Sequence, residues 1–296
     1  MTGRPATGPD HSGADAITVR VLSEMDAPDA RTGQLTQSLV MHLHAFLVEN
    51  QVSWDEWRAG LDFLARVGRW TTPDRNELAL MSDTSGSSTL INALNRHRPA
   101  QAGLAGVDQP LHQAAPPRRM GDVIVTAEQW AGGNWALVHG RVLDTGRNPV
   151  AHARIDLWQA HAEQDSSNLP HDPRALLTTG TDGHFRFRTV KPLSYSLPTD
   201  GPCGEWLRAT GRQAVRPGNI LTRVEADGHH PLTTRLFAAG DPLLGRDAAF
   251  GVTDGLVLDF ALRETPEEVE ADGMPGPYFD VACDLVLTPD RRTPGA

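Results

Sequence analysis

The feature that most constrains this chain is a change of hydrophobic period. Between Arg31 and about Asn95 apolar residues return every three or four positions. Leu35, Leu39, Leu43 and Phe46 make one stripe, and Trp57, Leu61, Leu64 and Val67 make another. From Asn134 the period shortens to two, with Ala136, Val138, Gly140 and Val142 alternating against Leu137, His139, Arg141 and Leu143. Helices buried along one stripe are therefore expected first and half-buried strands after them.

Local signals sharpen the pattern. Ser53 and Glu56 form a capping box at the start of a helix. Thr72 before Pro73 reads as an N-cap followed by a first-turn proline, opening a third helix through Glu77 towards Leu80, and residues 87–95 make a fourth segment. Strands are expected over 135–143, 153–158, 184–189, 220–226, 233–237, 256–262 and 278–287, separated by turns at Thr181-Asp182-Gly183, Pro198-Thr199-Asp200-Gly201 and Ala226-Asp227-Gly228. Many short strands joined by turns argue for an antiparallel sandwich or barrel. The expected organisation is a disordered leader (1–30), a helical segment (31–97), a Pro-, Gly-, Ala- and Gln-rich connector (98–133), a β domain (134–290) and a tail (291–296).

Composition excludes some functions. With 296 residues a sizeable core is available. A formal net charge of −10 and the absence of a basic run speak against a nucleic-acid partner. Cys203 and Cys283 are too far apart in sequence for a Cys-x-x-Cys site and suggest no disulfide framework, which fits a cytoplasmic protein. No apolar run is long enough for a signal peptide or a membrane span.

Several motifs together resemble the intradiol ring-cleavage dioxygenases, the catechol and hydroxyquinol 1,2-dioxygenases. In the helical part these are Met41-His42-Leu43-His44-Ala45-Phe46, Glu56-Trp57-Arg58-Ala59-Gly60-Leu61-Asp62-Phe63-Leu64 and Leu80-Met81-Ser82-Asp83-Thr84-Ser85-Gly86. In the β part they are Gly140-Arg141-Val142-Leu143-Asp144, Asp156-Leu157-Trp158-Gln159-Ala160, Thr181-Asp182-Gly183-His184-Phe185-Arg186-Phe187 and the run from Pro192 to Pro202. The resemblance implies a mainly β fold with an N-terminal α-helical segment, an antiparallel β-sandwich of intradiol dioxygenase type. It also implies a homodimer formed through the N-terminal helices, with lipid held at that interface.

Members of that family bind one ferric ion through two tyrosines and two histidines, hard oxygen and imidazole donors suited to the ion. Carried over position by position, the ligand sites fall on Ser166, Tyr195, Asn219 and Leu221, so three of the four ligand types are replaced. Neither Asn219 nor Leu221 substitutes for imidazole. Iron is expected in relatives and not here. His161, His171 and the adjacent His229-His230 read as solvated loop residues and not as a rebuilt metal site; the adjacent pair on extended backbone points to opposite faces and does not share one ion.

The resemblance also retains a charged arginine, Arg216, and places Leu80, Asp83, Pro110, Leu197, Pro198 and Ala249 around a substrate cavity. Relatives read Gly-Pro-Phe where this chain has Gln109-Pro110-Leu111, preceded by Val107, and catechol enzymes often carry glutamine where Arg235 stands. Tyr195 and Arg216 are the expected catalytic pair, the phenol exchanging a proton with a bound enol or phenol. The expectation is a metal-independent enzyme acting on an aromatic or polyketide-like molecule in specialised metabolism. The alternatives are a non-catalytic regulatory protein pairing with an active relative, and residual catechol or hydroxyquinol 1,2-dioxygenase activity.

Overall fold

The computed structural model describes residues 12–72, 75–94, 115–159 and 173–290. It divides into two compact units, Met1–Ala65 and Arg66–Ala296. In the first, α1 (Ser12–Ser23) packs along α2 (Ala30–Glu49), with Thr18 Oγ1 2.8 Å from His44 Nδ1. Asp29 caps α2 by accepting from the Thr32 amide at 2.9 Å. The Ser53–Glu56 box is present at the start of α3 (Trp54–Trp70), as its spacing predicts. The stretch expected to be a disordered leader carries α1: Asp15 in its first turn and Arg20 in its last complement the helix dipole, and Ile17, Val21 and Leu22 supply an apolar face.

The second unit holds α4 (Glu77–Thr84), α5 (Ser87–Leu94), α6 (Ala127–Ala131), α7 (Pro202–Ala209) and α8 (Pro266–Ala271) around a β-sandwich. Its strands are β1 (Trp135–Asp144), β2 (Arg154–Gln159), β3 (Arg174–Thr178), β4 (His184–Val190), β5 (Tyr195–Ser196), β6 (Val215–Arg216), β7 (Asn219–Glu225), β8 (His229–His230), β9 (Leu232–Ala238), β10 (Val257–Leu258), β11 (Ala261–Arg263), β12 (Tyr278–Ala282) and β13 (Leu285–Pro289). One sheet runs β11-β12-β1-β13-β8 with β4 also on β1; the other runs β10-β9-β7-β2-β3; β5 and β6 form a separate ribbon. Ala136, Val138, Phe185, Phe187, Val281 and Leu285 of the first sheet meet Ile155, Leu157, Leu177, Ile220, Val224, Leu232 and Leu236 of the second in one buried core.

The mainly β class with N-terminal helices therefore stands, and the details depart from expectation in identifiable places. Pairing is not uniformly antiparallel, because β1 runs parallel to both β12 and β13, and β9 to β10. The strand expected over 278–287 breaks into β12 and β13 around Cys283, whose amide donates to the His139 carbonyl at 2.9 Å. Gly140 permits that crossing, since a Cβ there would lie 1.7 Å from the Cys283 carbonyl oxygen. The strand expected over 256–262 likewise divides into β10 and β11. The third helix does not begin at Thr72, which pairs with Arg75; α4 begins after Asn76, whose side chain accepts from the Ala79 amide at 2.8 Å. From residue 115 the connector lies against the sheets, with bridges from Pro117 to Leu176 and from Val123 to Arg188.

Candidate functional site

The site lies on the face of the β10-β9-β7-β2-β3 sheet that points away from the core. Ile155 and Leu157, Ile220 and Val224, and Leu232 and Leu236 face the core, so by alternation Trp158, Asn219, Leu221 and Arg235 face the other way. Strand register puts Trp158 beside Leu221 and Leu221 beside Arg235, a row across three strands. Over this face lies a smaller apolar cluster of Tyr195, Leu197 and Ala248, with Leu80, Trp158 and Ala214 packed against it.

Tyr195 and Arg216 are directly paired across the β5-β6 ribbon and both are buried. Arg216 makes a two-pronged bond with Asp247, Nε to Oδ1 at 2.8 Å and Nη2 to Oδ2 at 3.0 Å. Burial works against the charge of Arg216, but Tyr195, Asp247 and Asp83 outweigh it and raise its pKa above the ordinary arginine value. For Asp247, burial would raise the pKa; the Arg216 charge and bond, with the amides of Ala249 and Gly251, overcome that and hold the carboxyl below the usual range.

A second carboxylate fixes the backbone. Asp241 accepts from Ser194 Oγ at 2.8 and 2.7 Å, from the Gly218 amide at 2.8 Å and from the Leu243 amide at 2.8 Å. It thus ties the residue before Tyr195 to the residue before Asn219. Gly218 lets the two segments approach, for a Cβ there would stand 2.3 Å from the Pro192 carbonyl oxygen. The turn after Leu197 and Pro198 is held by Arg75, which bonds Asp200 at 2.8 Å and the fully buried Glu77 at 2.9 Å; Glu77 in turn accepts from the Cys203 amide at 3.0 Å near the start of α7.

Of the residues expected around the cavity, Leu80, Asp83, Leu197, Pro198, Asn219, Leu221, Arg235 and Ala249 are described, and Val107, Pro110, Leu111 and Ser166 lie outside the described residues, as do His161 and His171. Asp83, Leu197 and Ala249 are buried. His229 and His230 sit on β8 at the far end of the other sheet, where the His229 ring lies 3.0 Å from the Asp227 carbonyl oxygen. Arg235, read from sequence as equally consistent with a domain-edge residue, is 3% exposed, and its Nη1 donates to Asn219 Oδ1 at 2.9 Å. Asp247 was not singled out from sequence; a buried acid thirty-one residues after Arg216 has no local signal, and only the fold brings the two together.

Comparison with known proteins decides the family. Residues 29–103 match the family model described as "Catechol dioxygenase N terminus" and residues 107–289 the one described as "Dioxygenase". The chain belongs to the intradiol ring-cleavage dioxygenases. It is 37% identical to a hydroxyquinol 1,2-dioxygenase of Nocardioides simplex, over 96% of this chain and 99% of that one. It is also 37% identical to a 6-chlorohydroxyquinol 1,2-dioxygenase of Cupriavidus pinatubonensis, over 84% of this chain and 91% of that one. The structure of hydroxyquinol 1,2-dioxygenase from Pseudomonas putida superposes with a TM-score of 0.83 at 34% identity, covering 94% of this chain and 99% of that one.

These relatives correct the expectation of a metal-independent enzyme for a polyketide-like molecule. That expectation rested on replaced ligand types beside a retained Tyr195 and Arg216, and similarity over nearly the whole chain points to the dioxygenase alternative. At the positions that the sequence resemblance assigns to iron ligands, the residue types differ from two tyrosines and two histidines. Of the three ligand positions that are described, Tyr195 offers a phenol. The Asn219 amide is committed, Nδ2 to the Pro217 carbonyl at 2.9 Å and Oδ1 to Arg235, and Leu221 has no donor atom. Among the described residues alone, one phenol and one committed amide beside a guanidinium do not make up a donor set for a hard trivalent cation.

Proposed function

We propose that this protein takes up an aromatic ring carrying adjacent hydroxyls, of the hydroxyquinol class named for its relatives, and that ring-cleaving oxygenation is the activity to test first. The observation that carries the reading is 36–37% identity to hydroxyquinol and chlorohydroxyquinol dioxygenases over 84% or more of the chain. The work attributable to the chain's own side chains is binding and orientation. Tyr195 and Leu197 offer an apolar wall, Arg216 is locked by Asp247, and Asp83 Oδ1 is buried with no hydrogen-bond partner among the described residues. In the family, ferric iron supplies activation of the diol towards dioxygen; no step is assigned to it with the donors of this chain.

The test has two arms. Anaerobic titration with hydroxyquinol and catechol measures binding, and admitting oxygen to iron-supplied protein measures oxygen uptake and the absorbance of a ring-opened acid. The reading expects hydroxyquinol binding and oxygen uptake matched one-to-one with ring loss. Diol binding without oxygen uptake would remove the oxygenase half, and absence of diol binding would remove the whole reading.

A homodimer through the N-terminal helices and a cytoplasmic location belong to the same proposal. Leu35, Leu39, Phe46, Leu61 and Leu64 are each about half exposed or more on the described chain, as an unpaired interface would be. Among the described residues no helix is long and apolar enough to cross a membrane. Cys203 and Cys283 are unpaired, which fits a reducing compartment. Burial first, with Glu77 beside Cys203 and Asp284 beside Cys283, pushes both thiols up to about 12.

A further inference from the structure

We infer that Arg235 is a ligand-binding residue of this site, its Nη2 donating to a ring oxygen of the bound aromatic diol. The inference rests on the diol reading above and claims binding, not turnover.

Placement comes first. Arg235 stands beside Leu221 in the row Trp158, Leu221, Arg235, on the sheet face turned away from the core. Its guanidinium is held in one orientation, since Asn219 Oδ1 accepts from Nη1 at 2.9 Å while Asn219 Nδ2 is fixed by the Pro217 carbonyl. The amide orientation follows from that network, because the reversed amide would aim its NH2 at a guanidinium that has only donors.

Satisfaction comes second. Arg235 Nη2 is buried with no hydrogen-bond partner among the described residues, and so are Asp83 Oδ1 and Trp158 Nε1. An arginine N–H sealed from water without an acceptor is costly, and on this face of the sheet, beside the Tyr195 cluster, an oxygen carried by a ligand would satisfy it. Asp83 supplies the complementary acceptor. An aromatic diol brings both halves, one oxygen to accept from Nη2 and one hydroxyl to donate to the carboxylate.

Charge comes third. The ionisable groups close enough to act on Arg235 are Arg216, Tyr195, Asp83 and Asp247. Asp247 is spent on Arg216 in a two-pronged bond, so Arg235 has no carboxylate bonded to it among the described residues. Burial above all, then repulsion by Arg216, lowers its pKa from the ordinary arginine value, yet a guanidinium starts far above neutrality and stays charged. A neutral diol donating to Asp83 leaves the local balance of two cations and two carboxylates unchanged.

The experiment is calorimetric titration of the full chain with catechol and with hydroxyquinol, without oxygen, on chelator-treated protein and again after ferric iron is returned. Chelator-treated wild-type protein should bind both diols. Arg235→Gln should weaken that binding about ten- to a hundred-fold, the span for losing one hydrogen bond to a charged group, and Arg235→Lys should fall between. Circular dichroism melting is recorded for each variant, and if Arg235→Gln does not fold, Arg235→Lys and Asn219→Asp decide. Asn219→Asp puts a carboxylate on Nη1 and should also weaken the diol. Equal affinity in folded wild type and variants overturns the inference and leaves the diol reading intact. So does binding that appears only when iron is returned. No binding under either condition overturns both.

Discussion

At the scale of single residues the Arg216–Asp247 pair carries the clearest energetic consequence. Both side chains are nearly inaccessible, at 3% and 2% exposure, so removing one leaves the other charged in a dry environment. Asp247→Asn is expected to cost about 3–5 kcal/mol in urea denaturation at neutral pH. The pH dependence has a definite sign. Because the folded Asp247 carboxyl titrates below its unfolded value, its contribution is complete above about pH 4 and is lost as pH falls through the lowered folded value. Stability measured from neutral pH downwards should show that acid limb in the wild type and a flatter one in Asp247→Asn; superimposable slopes would assign the limb to other carboxylates. Sequence made Arg216 legible because a motif surrounds it. It left Asp247 illegible, since burial and partner choice depend on packing between segments distant in sequence. Arg235 lies between these cases: its identity was visible, but its burial beside Leu221 and its bond to Asn219 came only with the register of β7 against β9.

Elements were read well where one signal dominated and poorly where tertiary approach intervened. The period of two located β1, β2, β4, β7 and β9 within one or two residues, and the capping box located α3. The break between β12 and β13 could not be read from Tyr278 to Leu287, because it depends on the close approach of Cys283 to His139 and Gly140 on another strand. α7 and α8 went unread although each has proline near its first turn, and α8 has the Thr265–Glu268 box, because a run of strands masks a helix of six or eight residues. The crossing at Gly140 makes a direct prediction. Gly140→Ala forces a methyl into the Cys283 carbonyl and should destabilise by more than about 2 kcal/mol, read as a lowered urea midpoint. A midpoint unchanged from wild type would show that the strand pair relaxes freely.

At the scale of the whole molecule, the two units carry different kinds of surface. The sandwich buries its apolar strands in one core, whereas α2 leaves Leu39 at 67% and Phe46 at 52% exposure on the described chain and α3 leaves Leu61 and Leu64 about half exposed. Sedimentation velocity should find a dimer at micromolar concentration. Leu39→Asp with Phe46→Asp should shift it to monomer while leaving the β-sandwich melting transition in place. A wild-type monomer, or a double variant that stays dimeric, would reject these helices as the contact.

Asp241 bears on how the molecule reaches its final state. Its carboxylate joins Ser194, 47 residues earlier, and Gly218, 23 residues earlier, so the segment leading into Tyr195 is fixed against the start of β7 only by closing long loops. Contacts of such sequence separation are expensive to close early, and those made after the rate-limiting barrier govern how fast a protein comes apart. The sheet face that carries Asn219, Leu221 and Arg235 can therefore condense before the Tyr195 ribbon is seated over it, and how long the two stay together becomes a kinetic property to which the Asp241 clasp contributes.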